Sequence, residues 1–564
     1  MICWSTMLLL IAVLNGSTQR GVFMEKLDRG LVVLPKNSAP RYSVYVGWRL
    51  LASDPPDVRF NVYRAEKPRG PYRRLNQTPI ADSTNFLDTT AEPGRQYSYK
   101  ISAVIQNKER GFTKPVTIDP SRCGDSFIRI PLKEKVVCQK VAVADLDGDG
   151  AYDYVVKYPN FNTDPYQAPG YWKRSEDTYK IEAYRSDGTF LWRYDMGWAI
   201  EEGIWYSPIV VFDLDGDGRA EVYTKAGEGD PRDPDGRVTS GPEYLIELDG
   251  LTGKVRRRVD WPSRDGFKEY NHYCRNLLGI AYLDGKRPYL IVVRGTYGLM
   301  KVVAYGAGLQ PLWRWESTGP YEKYGGQGMH GLHAADIDGD GCDEVILGGS
   351  VLDHDGKPLW QLGHGHPDVC YVADVDPSNP GLEIFYGFEP RHPKGGAICL
   401  VDARSGKVLW SCPDPTKHVH GQGLVAKLDA SRPGLQCYAA EQDGSKSWLF
   451  DAKGNLISGQ NLGGCSPKAA YWNEDALREL IIGRHISTYG GPSIQELEGN
   501  IIGIADCLGD WREEIITSVE GELRIYTTTI PARTRRVCLM QDRLYRNDVA
   551  VQSMGYFYIP QLSY

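Results

Sequence analysis

Apolar and polar residues alternate with a period of two along most of the chain, in runs of about four to eight residues broken by turn clusters. That period puts successive side chains on opposite faces of a strand, so short antiparallel strands are predicted and long helices are not. Over residues 25–116 the runs Val44-Val46-Trp48, Phe60-Val62-Tyr63 and Tyr97-Tyr99-Ile101-Ala103-Val104 are separated by turns such as Asp54-Pro55-Pro56 and Glu92-Pro93-Gly94. Strands at this spacing predict a small antiparallel β-sandwich over residues 24–118.

From about Ser126 onward two elements alternate. One is an acidic loop between apolar strands: Asp145-Leu146-Asp147-Gly148-Asp149-Gly150, Asp213-Leu214-Asp215-Gly216-Asp217-Gly218 and Asp336-Ile337-Asp338-Gly339-Asp340-Gly341, with weaker copies at Asp374, Asp429 and Asp506 and a vestige at Asp284. The other is a hairpin of the form Tyr184-Arg185-Ser186-Asp187-Gly188-Thr189-Phe190-Leu191-Trp192, recurring around Gly250, Gly308, Gly356, Gly406 and Gly454 at spacings of 62, 58, 48, 50 and 48 residues. Asp-Gly at a two-strand junction is a strong hairpin signal. A unit of about four strands repeated at this period predicts a β-propeller over residues 122–564 rather than a solenoid. Seven units are visible. Strands near residues 127–131 and the C-terminal segment would supply an eighth blade and close the ring.

The 65 basic and 72 acidic residues leave a net charge of −7, and no Lys/Arg run stands out, which argues against a nucleic-acid partner. Thirty-five Tyr and 14 Trp against 13 Phe supply flat apolar faces with polar edges, suited to sugar rings and equally to sheets. The 12 Cys are scattered without C-x-x-C spacing, so neither a disulfide framework nor a zinc motif is expected. Cys399 and Cys538 sit in apolar runs and read as small buried hydrophobes. The run MLLLIAVL at residues 7–14 is too short to span a bilayer but fits a signal-peptide core, although no Lys or Arg precedes it. The expectation is a signal peptide over residues 1–18, a secreted or periplasmic monomer, and no membrane span.

Three carboxylates packed into a six-residue loop repel one another unless a cation joins them. Oxygen ligands at that density suit Ca²⁺, and a further carboxylate three residues after each loop completes the set. The expected ligands are Asp145, Asp147, Asp149 and Asp153; Asp213, Asp215, Asp217 and Glu221; Asp336, Asp338, Asp340 and Glu344; and, in weaker copies, Asp374, Asp376, Glu383 and Asp506. A strand, not a helix, follows each loop, so these are not EF-hands. The alternative is an Asx-rich turn without metal.

Several motifs then go beyond pattern: the three acidic loops, Gln327-Gly328-Met329-His330-Gly331-Leu332, Gly363-His364-Gly365-His366, Leu508-Gly509-Asp510-Trp511-Arg512-Glu513-Glu514 and Ile525-Tyr526-Thr527-Thr528-Thr529-Ile530-Pro531. Together they resemble the rhamnogalacturonan lyases of polysaccharide lyase family 11, and Met24-Glu25-Lys26-Leu27-Asp28-Arg29-Gly30-Leu31-Val32 is similar to that family's start. The Trp48, Asn61-Val62-Tyr63-Arg64 and Tyr97-Ser98-Tyr99 strands resemble a fibronectin type III module. The family resemblance implies an all-β, eight-bladed, calcium-binding propeller that cleaves the rhamnose–galacturonate backbone of pectin by β-elimination, using several Ca²⁺ ions and a polysaccharide substrate. It also implies that His330 and His366 bind ions near the substrate, on the acidic-loop side of adjoining blades, and that Asn160, Asn162, Glu182 and Tyr556 contact sugar.

Elimination from a 4-linked uronate needs its carboxylate neutralised and a base for the C5 proton, with no water consumed. The family's proposed catalytic Arg, in a Gly-Arg-Gly context, is replaced here by Gly421-Gln422-Gly423. Its proposed Lys is missing from Gln495-Glu496-Leu497-Glu498-Gly499-Asn500. Nearby replacements are His420 as the base, since neutral imidazole is available near pH 7, with Arg484 for the lost charge and Lys468, His418, His485 and Tyr489 as further candidates. Competing readings are a calcium-dependent polysaccharide-binding propeller without catalysis, a lyase for another uronate–rhamnose polymer, and an integrin-like adhesion propeller.

Overall fold

The computed structural model describes residues 23–38, 41–119 and 126–564. The expected signal peptide lies outside them. Among the described residues almost everything ordered is strand, and no helix is long and apolar enough to cross a membrane.

The N-terminal region forms two antiparallel sheets, one of three strands and one of five. They share one core in which Trp48, Phe60, Val62, Tyr99 and Ile101 are fully buried. The period of two in the sequence is what puts these residues on the inner faces.

Eight four-stranded antiparallel sheets follow, here called I to VIII in chain order. The first strand of sheet I, Lys140–Ala144, is buried throughout, whereas the fourth strand of sheet II, Val255–Asp260, is almost wholly exposed. Burial on both faces requires continuous apolar runs, and exposure on the rim permits charge. First strands of successive sheets pack side by side from I to VII, and that of sheet VIII packs beside that of sheet I. Sheets VII and VIII are joined where the Glu513 amide donates to Tyr471 O at 3.1 Å. The series is therefore closed. Its last sheet comprises Asn500–Ala505, Glu514–Val519 and Glu522–Tyr526, completed on its outer edge by Phe127–Pro131. The closing strand is the one expected, but the sheet it closes carries the Asp506 loop. The unit hidden from the pattern is sheet VII, whose first turn begins Trp472-Asn473 and has no acidic repeat.

The hairpins between third and fourth strands lock neighbouring sheets together. Trp192, Trp313, Trp360 and Trp410 each lie within a fourth strand and donate Nε1–H to the next hairpin, at Gly250 O (2.7 Å), His354 O (2.9 Å), Ala403 O (3.0 Å) and Ala452 O (3.0 Å). Each ring lies against the glycine of that hairpin. A Cβ on Gly253 would come within 2.4 Å of Trp192, and one on Gly406 within 2.7 Å of Trp360, at φ values of +66° and +69°. Close approach and positive φ both demand glycine there.

The axis is filled by the helix Arg543–Val551, which packs on the first strands of sheets I, II, III, IV and VIII. Asp542 caps its N-terminus through Tyr545 N. At its other end Lys140 Nζ, fully buried, donates to Gln552 O, Met554 O and Gly555 O at 3.3, 3.2 and 2.8 Å. The chain then turns and runs back, so that Gln561 N reaches Asp548 Oδ2 at 3.0 Å and Ser563 reaches Asp542. Tyr556 stands at the bend.

Candidate active site

All acidic loops join first strands to second strands, and so share one face of the closed series. Asp145 accepts from Gly148 N and Gly150 N at 2.8 Å each, and Asp213 and Asp336 do the same in their loops. The acidic or amide residue opening the second strand then holds the turn: Asp153, Glu344, Glu383, Gln436, Glu479 and Glu514 each accept from a turn amide. Burial pushes Asp153 up to about 7, Asp213 up to about 6 and both Glu221 and Glu344 up to about 8. One oxygen of Glu344 is buried with no partner. That donorless, buried Glu344 oxygen fits a bound cation. One ligand atom each from Asp145, Asp147 and Asp153 lies within 4.8 Å of the others. In the weaker copy, Lys453 Nζ sits 2.6 Å from Asp376, a fixed cation where an ion was expected. Asp506 is fully buried and accepts from Leu539 N at 2.6 Å.

This face is covered beside sheets I and VIII, while Asp336, Asp338 and Asp374 line a hollow of their own. Asp28 N donates to Gly150 O at 3.0 Å, Tyr45 donates to Asp510 at 2.8 Å, and Lys114 pairs with Asp149 at 3.2 Å, all from the N-terminal region.

The opposite face is open and carries a cleft of about 810 Å³, lined by residues that include Asn162, Asp164, Trp205, Arg275, Tyr297, His330, Glu389, His418, His420 and Tyr556. His330 lies near the start of the strand Gly328–Ala335, whose other end enters the Asp336 loop. At about 3.3 Å per residue the two are roughly 20 Å apart. The expectation that His330 and His366 share a side with the acidic loops is corrected accordingly.

Asp368, 1% exposed, is the hub. His366 Nε2 is 3.2 Å and His330 Nε2 3.7 Å from its Oδ1, while His420 Nδ1 is 2.6 Å and Gly421 N 3.1 Å from its Oδ2. Glu389 adds a second carboxylate, 3.2 Å from His418 Nε2 and 3.8 Å from His366 Nε2. Burial opposes ionisation of Asp368, but hydrogen bonds from His366 and His420 outweigh it and hold the carboxyl well below its usual range. Burial together with its imidazole and guanidinium neighbours holds His330 well below an ordinary histidine, so it is neutral. Its Nε2 lies 2.8 Å from the Tyr297 hydroxyl, and its Nδ1 is buried without a partner. The hydrogen bond to Glu389 raises His418. One ligand atom each of His330, His366 and Asp368 lies within 4.8 Å of the others, as do those of Asp368, His418 and His420. Arg275, 3% exposed, bonds Asp164 at 2.8 Å and stacks 4.3 Å from the centre of the Trp205 ring, giving the cleft a fixed positive charge.

Of the residues read from the sequence, the structure brings His330, His366, His418, His420, Asn162 and Tyr556 together. Glu182 is excluded. Strand alternation turns it inward, fully buried, where it accepts from Tyr158 at 3.0 Å and Arg193 at 2.6 Å and also from Tyr184. Asn160 is exposed outside the cleft lining. Arg484 is on the rim of sheet VII, 4.0 Å from Glu496 in a separate hollow, and exposed His485 follows it in the same hairpin. Tyr489 packs against the core. Lys468 contacts Ser466 O at 3.4 Å and the Phe557 ring, away from the cleft. Asp368, Glu389 and Arg275 were not foreseen, because each sits in an ordinary strand or loop sequence. The only local hint is Asp368 two residues after His366.

Comparison with known proteins decides the family. A model of rhamnogalacturonan lyase family 11, C-terminal domain, matches residues 133–564, and one of the rhamnogalacturonan I lyase β-sheet domain matches residues 22–118. The chain belongs to rhamnogalacturonan lyase family 11. It is 35% identical to rhamnogalacturonan endolyase YesW of Bacillus subtilis (strain 168) over 593 residues, covering 96% of this chain and 91% of that one. It is 34% identical to the exolyase YesX of the same strain over 608 residues, covering 96% and 95%. The solved rhamnogalacturonan lyase of Bacillus licheniformis superposes with a TM-score of 0.86 at 33% identity, covering 96% of this chain and 97% of that one.

Proposed function

We propose that the histidine cleft is where this family 11 enzyme cleaves rhamnose-(1→4)-galacturonate linkages of rhamnogalacturonan I by β-elimination, with His420 as the base. The His420–Asp368 contact of 2.6 Å in an open cleft is the observation that carries the reading. Bound through Nδ1, the ring is held in the tautomer that leaves Nε2 to take the C5 proton. Arg275 offers fixed charge to the uronate carboxylate, while Trp205, Tyr297 and Tyr556 give sugar rings apolar faces. His330, His366, Asp368 and Glu389 would hold a divalent cation, which when bound supplies further neutralisation of that carboxylate. Asn162, 3.1 Å from Ile204 N, is placed to meet the polymer at the cleft mouth.

The eight closed sheets read as an eight-bladed propeller (residues 122–564), and residues 24–118 as a fibronectin type III-like support. On this reading calcium staples the complete acidic loops on the covered face, and the protein acts outside the cytoplasm on polysaccharide as a monomer. The test is incubation with rhamnogalacturonan I while following ultraviolet absorbance of the unsaturated uronate. Absorbance growing with cleavage is expected; new reducing ends without it would mean hydrolysis. Binding without cleavage would favour the non-catalytic reading, which the replaced Arg and missing Lys motivate.

A further inference from the structure

The Asp336 loop differs from its two complete relatives in donor chemistry. After its last glycine stands Cys342, where the others have Ala151 and Arg219. The neighbouring hairpin brings His354 to it. In the other two loops that hairpin brings Arg185, 3.2 Å from Asp147, and Arg256, 2.6 Å from Glu221. Arginine can only pair charge, whereas imidazole and thiolate are ligands. One ligand atom each of Asp340, Cys342 and His354 lies within 4.8 Å of the others, and so do those of Glu344, Asp353 and His354, with His354 common to both sets. Glu344 is fully buried, and its Oε1, 3.9 Å from His354 Nδ1, has no hydrogen-bond partner. His354 Nδ1 is buried without an aligned partner too, although Asp353 Oδ1 and Asp340 Oδ2 stand 2.7 and 3.5 Å away. A shared cation satisfies both orphaned atoms.

We propose that this loop binds a borderline divalent cation of the zinc class through His354 Nδ1, Cys342 Sγ and the Asp340 carboxylate, with Glu344 Oε1 as fourth ligand. Nitrogen, sulfur and oxygen donors in a set of four suit zinc, while calcium takes oxygen alone and in larger number. The site stands apart from the cleft and replaces calcium at this loop only.

Cobalt(II) is the probe, because thiolate-bound cobalt absorbs in the near ultraviolet by charge transfer and cobalt bound only by carboxylate or imidazole does not. The metal-stripped full chain titrated with Co²⁺ should develop that band, and Zn²⁺ but not Ca²⁺ should displace it. Cys342→Ser should abolish the band, and His354→Gln should weaken Co²⁺ binding by about tenfold or more. Cys465→Ser, which removes another incompletely buried thiol among the described residues, should keep it. No band in the native sequence, or a band that survives Cys342→Ser, overturns the proposal. Should Cys342→Ser not fold, alkylation of the unsubstituted chain read by mass spectrometry serves instead. Zn²⁺ protecting Cys342 where Ca²⁺ does not supports the site, and equal reactivity overturns it. Calcium titration of Asp338→Ala, which disables the Asp336 loop, reads the Asp145 and Asp213 loops apart from it, so failure of the calcium reading is separable.

Discussion

On the face to which the N-terminal region docks, Asp145, Asp213 and Asp336 give their oxygens to backbone amides within their own six-residue loops. On the open face, Asp368 and Glu389 give theirs to imidazoles from the segments entering sheets IV, V and VI. The first arrangement is complete inside a short stretch of chain and recurs wherever that stretch recurs. The second exists once, only when sheets IV, V and VI and the Tyr556 bend are all in place. One fold thus satisfies carboxylates in two ways, within one short loop and across sheets. The N-terminal region docks on the acidic-loop side and leaves the cleft accessible.

The sharpest way to break this division is His420→Ala. Turnover should fall by about 10²–10⁴-fold while the melting temperature and calcium content stay put, read by uronate absorbance and thermal unfolding. A melting loss as large as that of an acidic-loop variant would mean that the open face also holds the fold. Next in size is Asp147→Ala, which should cost one bound ion. The stabilisation at stake is about 2.7 kcal/mol for an ion present at a hundredfold over its dissociation constant. Asp429→Ala should change stability by no more than about 0.5 kcal/mol, because that half-buried carboxylate serves only its own turn. Equal losses on calcium analysis and melting would erase the distinction between complete and degenerate loops.

A fourth variant, Trp360→Ala, touches neither face. It removes an inter-sheet latch at a cost of about 2 kcal/mol, with calcium content and turnover per folded molecule unchanged. The smallest effect concerns His333, which lies between the faces with Nδ1 2.7 Å from Asp548 and Nε2 3.0 Å from Cys370 O. Burial pushes its pKa down, but Asp548 outweighs burial and the value is raised. Its contribution is therefore fully present below the unfolded-state value of about 6.5 and is lost as pH rises through the higher folded value. Wild-type stability should decline more than that of His333→Gln across this window. Parallel pH–melting curves would show that the pair carries no charge.

The same local-against-distant contrast governs what could be read from the sequence. Strand alternation, the Asp-Gly hairpins and the three complete loops are local, and each lies where its pattern put it. Sheet VII went unseen because Trp472-Asn473 replaces the acidic start, although Glu479 keeps the second-strand acceptor. His420 was legible as a candidate through its position beside Gly421-Gln422-Gly423, but its partner Asp368 was not. Nothing in a run such as Pro367-Asp368-Val369-Cys370 says which imidazoles will converge on it. Glu182 shows the opposite error, since a carboxylate near sugar-contact motifs proved to be a buried partner for two tyrosines and an arginine. Lys468 and Arg484 follow His420 in sequence yet are absent from the cleft lining, since cleft membership follows loop position and not chain neighbourhood.

The strand Phe127–Pro131 leaves the ribosome about 370 residues before Asn500–Ala505, which opens the sheet it will complete. At roughly 5–20 residues per second that interval lasts tens of seconds. Throughout it Phe-Ile-Arg-Ile-Pro is an unpaired edge with three apolar side chains and a row of open amides, the kind of surface that recruits foreign strands. Arg129 at its centre and Pro131 at its end are the residue types that discourage such pairing. Substituting Arg129 by a β-branched apolar residue would leave the finished sheet little changed, yet it would expose every nascent chain to misassociation. Yield would suffer long before stability did.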